Sequence, residues 1–211
     1  MLPSRPHNLQ CDDFSCTWSS RNSDPSDQST LAASQAPSAV ATIQSYSPIE
    51  DTYRQLPKFL TEFLPVVVDS RYKFVPGGRL QGKVIALYFS ATWCHPCRKF
   101  SPQLAEFSRV YRNEVVVIVV SLDHREQDLR SYLKKYPEWY AVPFKYRSTY
   151  LQLAERLEIQ SVPTLLICDP QTGRPITACG VEAIQKNPRE CVALWKEGKS
   201  GVRWWHWFKC W

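Results

Sequence analysis

The fold is decided by one stretch, Val84-Ile85-Ala86-Leu87-Tyr88-Phe89-Ser90-Ala91-Thr92-Trp93-Cys94-His95-Pro96-Cys97. Its first six residues are continuously apolar, which is typical of a central strand buried on both faces. After the turn, residues 98–112 carry apolar side chains at helical spacing, namely Phe100, Leu104, Phe107, Val110 and Tyr111. A strand, a small turn, a Cys-x-x-Cys pair and a helix in this order indicate a dithiol–disulfide site.

The position of the two cysteines explains the chemistry that we expect of them. A cysteine at the first turn of a helix lies beside free backbone N–H groups and the positive end of the macrodipole. Both favour the thiolate, which is the nucleophilic form of cysteine. A second cysteine one turn later can attack the mixed disulfide that forms and release the product. We therefore expect Cys94 and Cys97 to form a redox-active pair.

Composition indicates an ordinary globular protein. The chain has 211 residues, 44% of them hydrophobic, which is enough for one good core and tails. Its net charge of +6 is spread out. The central region shows no stripe of Lys and Arg interleaved with aromatic residues, so we expect no nucleic-acid partner.

The eight cysteines are irregularly spaced, at positions 11, 16, 94, 97, 168, 179, 191 and 210. The first ten residues are polar and lack the apolar core of a signal peptide, and no run reaches the ~18 apolar residues of a spanning helix. We therefore expect a reducing compartment, the cytoplasm or alternatively the nucleus, where a lone Cys-x-x-Cys serves redox or metal chemistry. A zinc site needs a second cysteine pair, and Cys168 and Cys179 are not at ligand spacing, so we expect no metal.

Three regions follow from the distribution of residue types. Residues 1–47 are rich in Ser, with few recurring apolar residues, and we expect a disordered arm. Residues 48–198 form the predicted domain. Residues 199–211 are an aromatic and basic tail, which suits weak contact with a membrane interface. Docking of the tail on the domain surface and a misread coding frame are the alternatives.

The predicted elements describe an α/β sandwich with a mixed sheet flanked by helices. We expect Asp123 to cap a helix, with Glu126 completing a capping box. The other predicted elements are a short strand at 65–68, a buried strand at 115–120, a helix at 150–157, a strand at 165–168 with a hairpin turn at 169–173, a return strand at 174–178 and a last helix at 191–195.

The chain resembles the thioredoxin superfamily and, within it, the nucleoredoxin and tryparedoxin branch. The matching segments lie in the right order over roughly residues 50–198, and several ordered motifs are more specific than one Cys-x-x-Cys. They are Tyr88–Pro102, which includes Trp93-Cys94-His95-Pro96-Cys97; Val119-Val120-Ser121-Leu122-Asp123; Ala141-Val142-Pro143-Phe144; and Val162-Pro163-Thr164-Leu165 with Asp169-Pro170.

The resemblance implies a thioredoxin fold and a protein-disulfide reductase that uses no prosthetic group and serves cell redox homeostasis. Cys94 is then the exposed nucleophile and Cys97 the buried resolving thiol. Trp93 is a platform beside them, and Val162 and cis-Pro163 offer backbone groups to a substrate strand. The implied partners are disulfide-containing proteins, peroxidases being one option, and a low-molecular-weight thiol or a flavoprotein reductase as electron donor. We expect a monomer.

Two departures from the family keep other functions open. Tyr88 stands where ordinary thioredoxins carry a buried acid. His95 stands where the branch usually has proline, and a protonated His95 near Cys94 would stabilise the thiolate and make the pair more oxidising. A solvent-facing His95 without this effect is the alternative. A net disulfide oxidase or isomerase therefore remains an alternative to the reductase, as does a binding or scaffold module whose contacts depend on redox state.

Overall fold

The computed structural model describes residues 9–11, 16–18, 67–75, 80, 82–157 and 159–202. Eight strands lie in these segments: β1 Leu9–Cys11, β2 Cys16–Trp18, β3 Val84–Ser90, β4 Val115–Ser121, β5 Tyr140–Ala141, β6 Ser161–Val162, β7 Thr164–Cys168 and β8 Pro175–Thr177. The α-helices in the same segments are α1 His95–Val110, α2 Glu126–Lys135, α3 Arg147–Arg156, α4 Gly180–Lys186 and α5 Cys191–Lys196.

The central sheet has five strands in the order β5-β4-β3-β7-β8. β3 runs parallel to β4 and antiparallel to β7, so the sheet is mixed, as the sequence predicted. β3 and β4 are buried along their whole lengths, because both faces of the sheet are covered. Alternate residues of β3 enter two separate clusters, with Leu87 in one and Tyr88 in the other.

The elements that the sequence predicted are largely present, with three differences. Asp123 does not cap α2, whose N-cap is Arg125. Val68 forms only isolated bridges, with Phe74 and Ala141. Val110, assigned to the inner face of α1, is 65% exposed. The structure also adds α4, which the sequence did not predict.

A second sheet joins the beginning of the chain to the domain. Its order is β1-β2-β6, with both pairings antiparallel. β1 and β2 lie within residues 1–47, where we expected no secondary structure. The rest of that region lies outside the described residues, as do positions 203–211, so our prediction for the C-terminal tail is not tested. Within the described part of the chain, no helix has the length and apolar character needed to cross a bilayer.

Candidate active site

The two cysteines of the motif are joined by a disulfide at the start of α1, with Cα atoms 5.3 Å apart. Cys94 is the N-cap residue, and its sulfur accepts a hydrogen bond from the backbone N–H of Cys97 at 3.2 Å. The sulfur thus occupies the place of an N-cap side-chain acceptor, facing N–H groups that have no partner within the helix. This position favours negative charge on the Cys94 sulfur once the disulfide is reduced.

Both cysteines are fully buried in the structure. For Cys97 this agrees with the expectation, whereas we expected Cys94 to be exposed. The Cys94 sulfur lies 3.7 Å from the backbone carbonyl oxygen of Val162. The apolar cluster around the disulfide includes Ala91 and Val162, so the wall of the site is the end of β6.

The peptide bond between Val162 and Pro163 is cis, as the resemblance implied. Val162 is buried and ends β6, while Pro163 is partly exposed and separates β6 from β7. Because β7 pairs with β3, the sheet places this proline turn beside the strand that leads to Cys94.

Trp93 is partly buried and packs against the cluster that contains both cysteines. Its indole Nε1 is buried, and no hydrogen-bond acceptor for it is found among the described residues. A buried donor without a partner is uncommon in folded proteins. The indole therefore lies next to the disulfide with an N–H group able to bind an acceptor.

His95 is exposed and faces Arg98. Its Nδ1 lies 3.3 Å from Nη2 of Arg98, and Nη1 of the same guanidinium donates to the carbonyl of Thr92 at 2.9 Å. Since a guanidinium only donates, Nδ1 of His95 is the acceptor in this contact. That nitrogen is consequently not a donor to the Cys94 sulfur.

Asp123 supports the turn before Cys94, a role that sequence reasoning missed. Its carboxylate accepts the backbone N–H of Thr92 at 2.8 Å and the Thr92 hydroxyl at 2.7 Å. Ser121 donates to the other carboxylate oxygen at 2.7 Å. A sequence signal was available, because Asp123 follows β4 and Thr92 follows β3, and carboxyl ends of parallel strands meet at one edge.

Hydroxyl groups, rather than a carboxylate, lie beneath the resolving cysteine. Ser101 donates to the carbonyl of Cys97 at 2.6 Å and shares hydrogen bonds with the hydroxyls of Tyr88 at 3.1 Å and Tyr132 at 2.5 Å. Ser90 extends the network to Tyr132 at 3.2 Å. Burial raises the pKa of both Tyr88 and Tyr132 above that of free tyrosine, so the network is uncharged.

The other described cysteines differ from the pair at α1. Cys168 and Cys191 are free and buried, and burial raises the pKa of each thiol to about 12. Both therefore stay protonated near neutral pH and are poor nucleophiles. Cys179 is disulfide-bonded. Within the described segments, no group of three or more His, Cys, Asp or Glu side chains is arranged to hold a metal ion.

Comparison with known proteins places this arrangement among thioredoxin-like proteins. The family model described as "Thioredoxin-like" matches residues 82–174. Tryparedoxin of Trypanosoma brucei brucei is 40% identical over 118 residues, covering 54% of this chain and 81% of that protein. Nucleoredoxin of Mus musculus is 37% identical over 116 residues, covering 53% of this chain but only 26% of that protein.

A solved structure described as tryparedoxin II complexed with glutathionylspermidine has the same fold. It superposes with a TM-score of 0.57 at 31% identity and covers 62% of this chain and 94% of that one. The chain belongs to the thioredoxin-like family, and its relatives lie in the tryparedoxin and nucleoredoxin branch. It is a thioredoxin-like oxidoreductase with a redox cysteine pair.

Proposed function

We propose that the protein reduces disulfides in other proteins, with Cys94 as nucleophile and Cys97 as resolving thiol. The observation that carries this proposal is the hydrogen bond from the Cys97 N–H to the Cys94 sulfur at 3.2 Å. It singles out Cys94 as the sulfur that the helix N-terminus stabilises, and the thiolate is the attacking species.

The reaction proceeds in two exchanges. The Cys94 thiolate attacks one sulfur of the substrate disulfide, and the other substrate sulfur leaves as a thiolate. Cys97 then loses its proton and attacks the Cys94 sulfur of the mixed disulfide, which releases the second substrate thiol. The substrate gains two electrons, and the Cys94–Cys97 disulfide forms. Because Tyr88 is a phenol with a raised pKa, we assign the departing substrate thiolate as the base for Cys97.

The walls of the site suit a substrate strand. We assign the backbone of Val162 and cis-Pro163 to substrate binding, because the Val162 carbonyl lies 3.7 Å from the reactive sulfur. A substrate strand that binds there takes the place of β2, which pairs with β6 in the structure. We assign Trp93 to the same role, because it packs against the cluster around the disulfide and its indole N–H has no acceptor among the described residues. His95 is a candidate for tuning the cysteine pKa, and its contact with Arg98 limits that role.

The donor that reduces the disulfide again is, in our proposal, a low-molecular-weight thiol. One relative binds glutathionylspermidine in its solved structure, which supports this class. A flavoprotein reductase is the alternative, and recharging rates with glutathione, glutathionylspermidine and a flavoprotein reductase separate the two. We further propose a monomer in the cytoplasm that acts on protein disulfides, peroxidases among them.

Trapping tests the roles of the two cysteines. Cys97→Ser lacks the resolving thiol, so it accumulates mixed disulfides with substrate proteins, whereas Cys94→Ser accumulates none. Cys191→Ala, which removes a buried free thiol of the same domain, is the matched control and behaves as the unaltered chain. Equal trapping by the Cys97 and Cys94 variants overturns the assignment.

The buried state of Cys94 favours a second candidate, a binding module whose contacts depend on redox state. A reductase accelerates the reduction of insulin by dithiothreitol over the rate with the thiol alone. A folded protein that gives no acceleration supports the binding module instead.

A further inference from the structure

The edge of the site next to Cys94 is occupied by the chain's own N-terminal hairpin. β2 pairs antiparallel with β6, which consists of the two residues before cis-Pro163. β2 is also the middle strand of its sheet, because β1 pairs with its other edge. The family match covers residues 82–174, so this hairpin is a feature that the family comparison does not explain.

The register of this pairing places a cysteine at the wall of the site. Cys16 is the partner of Val162, and the Val162 carbonyl lies 3.7 Å from the Cys94 sulfur. Paired residues of antiparallel strands have Cα atoms about 4.5–5.5 Å apart. The backbone of Cys16 is therefore one strand spacing from the residue that contacts Cys94.

A second cysteine occupies the position paired with Cys16 across β1 and β2. Cys11 is its register partner across β1 and β2. The Cα spacing of such partners falls inside the range of about 4.4–6.8 Å that a disulfide spans. The hairpin thus places together the two residues of a second dithiol, beside the first.

We propose that Cys11 and Cys16 form a second redox pair that exchanges directly with Cys94–Cys97 inside one chain. Starting from the disulfide in the structure, the Cys16 thiolate attacks the Cys94 sulfur and Cys97 leaves as a thiolate. The Cys11 thiolate then attacks the Cys16 sulfur, which forms the Cys11–Cys16 disulfide and releases Cys94. Two electrons and two protons pass from the hairpin to the site, and the reverse exchange follows the same steps.

The exchange gives the reductase a tethered disulfide partner, and in this respect it rests on the proposed function. The sheet holds a strand paired with β6 one strand spacing from the residue that contacts the reactive sulfur, so the partner need not be captured from solution. An external thiol that reduces the hairpin disulfide would then recharge the active site through Cys16.

Trapping within the chain tests the exchange. The full-length Cys97→Ser/Cys11→Ser protein, which lacks both thiols that could resolve a Cys94–Cys16 bond, is reduced, freed of thiol and treated with one equivalent of dipyridyl disulfide. Whichever of Cys94 and Cys16 is activated, attack by the other gives the same bond. After alkylation of the remaining thiols and digestion without reductant, mass spectrometry identifies the linked peptides. We expect Cys94–Cys16 as the main linkage, at least tenfold above its yield in the same protein unfolded in guanidinium.

Further variants test whether the linkage depends on the pairing of β2 with β6. Addition of Cys16→Ser abolishes it. Restoring Cys11, in the Cys97→Ser protein, lowers its yield and gives the Cys11–Cys16 disulfide instead, because Cys11 resolves the bond. Thr17→Pro lowers the yield at least fivefold, because proline donates no ladder hydrogen bond and is poorly tolerated in a middle strand. Thr17→Val, which keeps the backbone N–H at the same position of β2, is the matched control and leaves the yield unchanged.

The outcomes separate this inference from the proposed function. A main linkage of Cys94 to Cys179 or Cys210, no linkage at all, or a yield unaffected by Thr17→Pro overturns the exchange. Insulin reduction by the unaltered chain without the Cys94–Cys16 linkage leaves the reductase standing and removes the hairpin's role. The Cys94–Cys16 linkage without insulin reduction leaves the exchange between the two cysteine pairs standing and removes the reductase.

Discussion

The Asp123 carboxylate holds Thr92 through two hydrogen bonds, at 2.8 Å to its backbone N–H and 2.7 Å to its hydroxyl. These residues follow the neighbouring strands β3 and β4, and Thr92 is two residues before Cys94. The buried carboxylate also accepts from Ser121, so it bonds with three donors. Asp123 is therefore a positioning residue for the turn that presents Cys94.

Asp123→Ala is expected to lower the free energy of unfolding by about 1–3 kcal/mol, since it leaves buried donors without an acceptor. Insulin reduction at 25 °C falls as well, because the turn before Cys94 is no longer fixed. Asp123→Asn keeps one acceptor for Thr92 and recovers part of both losses. Urea unfolding and the insulin assay measure the two effects.

Asp128→Ala is the matched control for this prediction. Partly buried Asp128 pairs with exposed Arg125 at 2.8 Å at the start of α2, and surface pairs contribute about 0–1 kcal/mol. We expect little change in either measurement. A loss as large for Asp128→Ala as for Asp123→Ala contradicts the role given to Asp123.

Ser101→Ala is expected to destabilise the protein more than Tyr88→Phe. Ser101 bonds with Cys97, Tyr88 and Tyr132, so its removal takes a partner from two buried phenols and from a carbonyl in the first turn of α1. We expect a cost of about 1–3 kcal/mol. Tyr88→Phe leaves the bonds from Ser101 to Cys97 and Tyr132 in place and costs less. Urea unfolding of the two variants gives the order, and the reverse order contradicts the central position of Ser101.

Local sequence pattern was sufficient for the centre of the fold. β3 and β4 are uninterrupted apolar runs, and the redox motif lies at the turn between β3 and α1, so these elements were predicted close to their observed bounds. The helix α4 was missed because it is short and has no side-chain N-cap bond. The glycine at its first position is required by a tertiary contact rather than by a local pattern. A Cβ on Gly180 would lie 2.5 Å from the Leu165 carbonyl oxygen, so no larger residue fits there.

The site was predictable where its residues are contiguous and not where they come from distant elements. Cys94 and Cys97 follow from the motif, and cis-Pro163 from the resemblance. Ser101 and Tyr132 meet the site through side chains on α1 and α2, and no local pattern marks them. Asp123 was missed because its partner Thr92 follows a different strand, so the signal appears only when β3 and β4 are taken as neighbours. The pairing of β2 with β6 joins residues far apart in the chain, and nothing in the apolar pattern of residues 1–47 indicates a partner.

His95→Pro tests the oxidase and isomerase alternatives. We expect the reduction potential of the Cys94–Cys97 pair to change by less than about 30 mV, which corresponds to ~1.4 kcal/mol. The reason is that Nδ1 of His95 accepts from Arg98 and the ring is exposed, so the charge on Cys94 is not stabilised through that nitrogen. Equilibration with glutathione buffers measures the potential. A shift to a markedly more negative value shows that His95 makes the native pair more oxidising and contradicts our expectation.

Stability is expected to fall above pH 9 because of the buried thiol of Cys168. Burial raises the pKa of this thiol to about 12, from the value of 9.0 for an accessible cysteine. Between these values the unfolded chain has lost the proton while the folded chain keeps it, so a rise in pH favours unfolding. The stability that depends on the protonated Cys168 thiol is fully present below pH 9. Above pH 9 the free energy of unfolding falls by up to ~1.4 kcal/mol per pH unit, until the folded thiol ionises as well.

Cys168→Ala isolates this contribution from other groups that titrate at alkaline pH. The substitution lowers stability at pH 8, because it removes a buried sulfur from the core. Between pH 8 and pH 10, however, the variant loses about 1.4 kcal/mol less than the unaltered chain, since it has no thiol to ionise on unfolding. Urea unfolding of both proteins at the two pH values measures the difference. Parallel losses would mean that the Cys168 thiol ionises as readily in the folded as in the unfolded chain, against the burial that the structure shows.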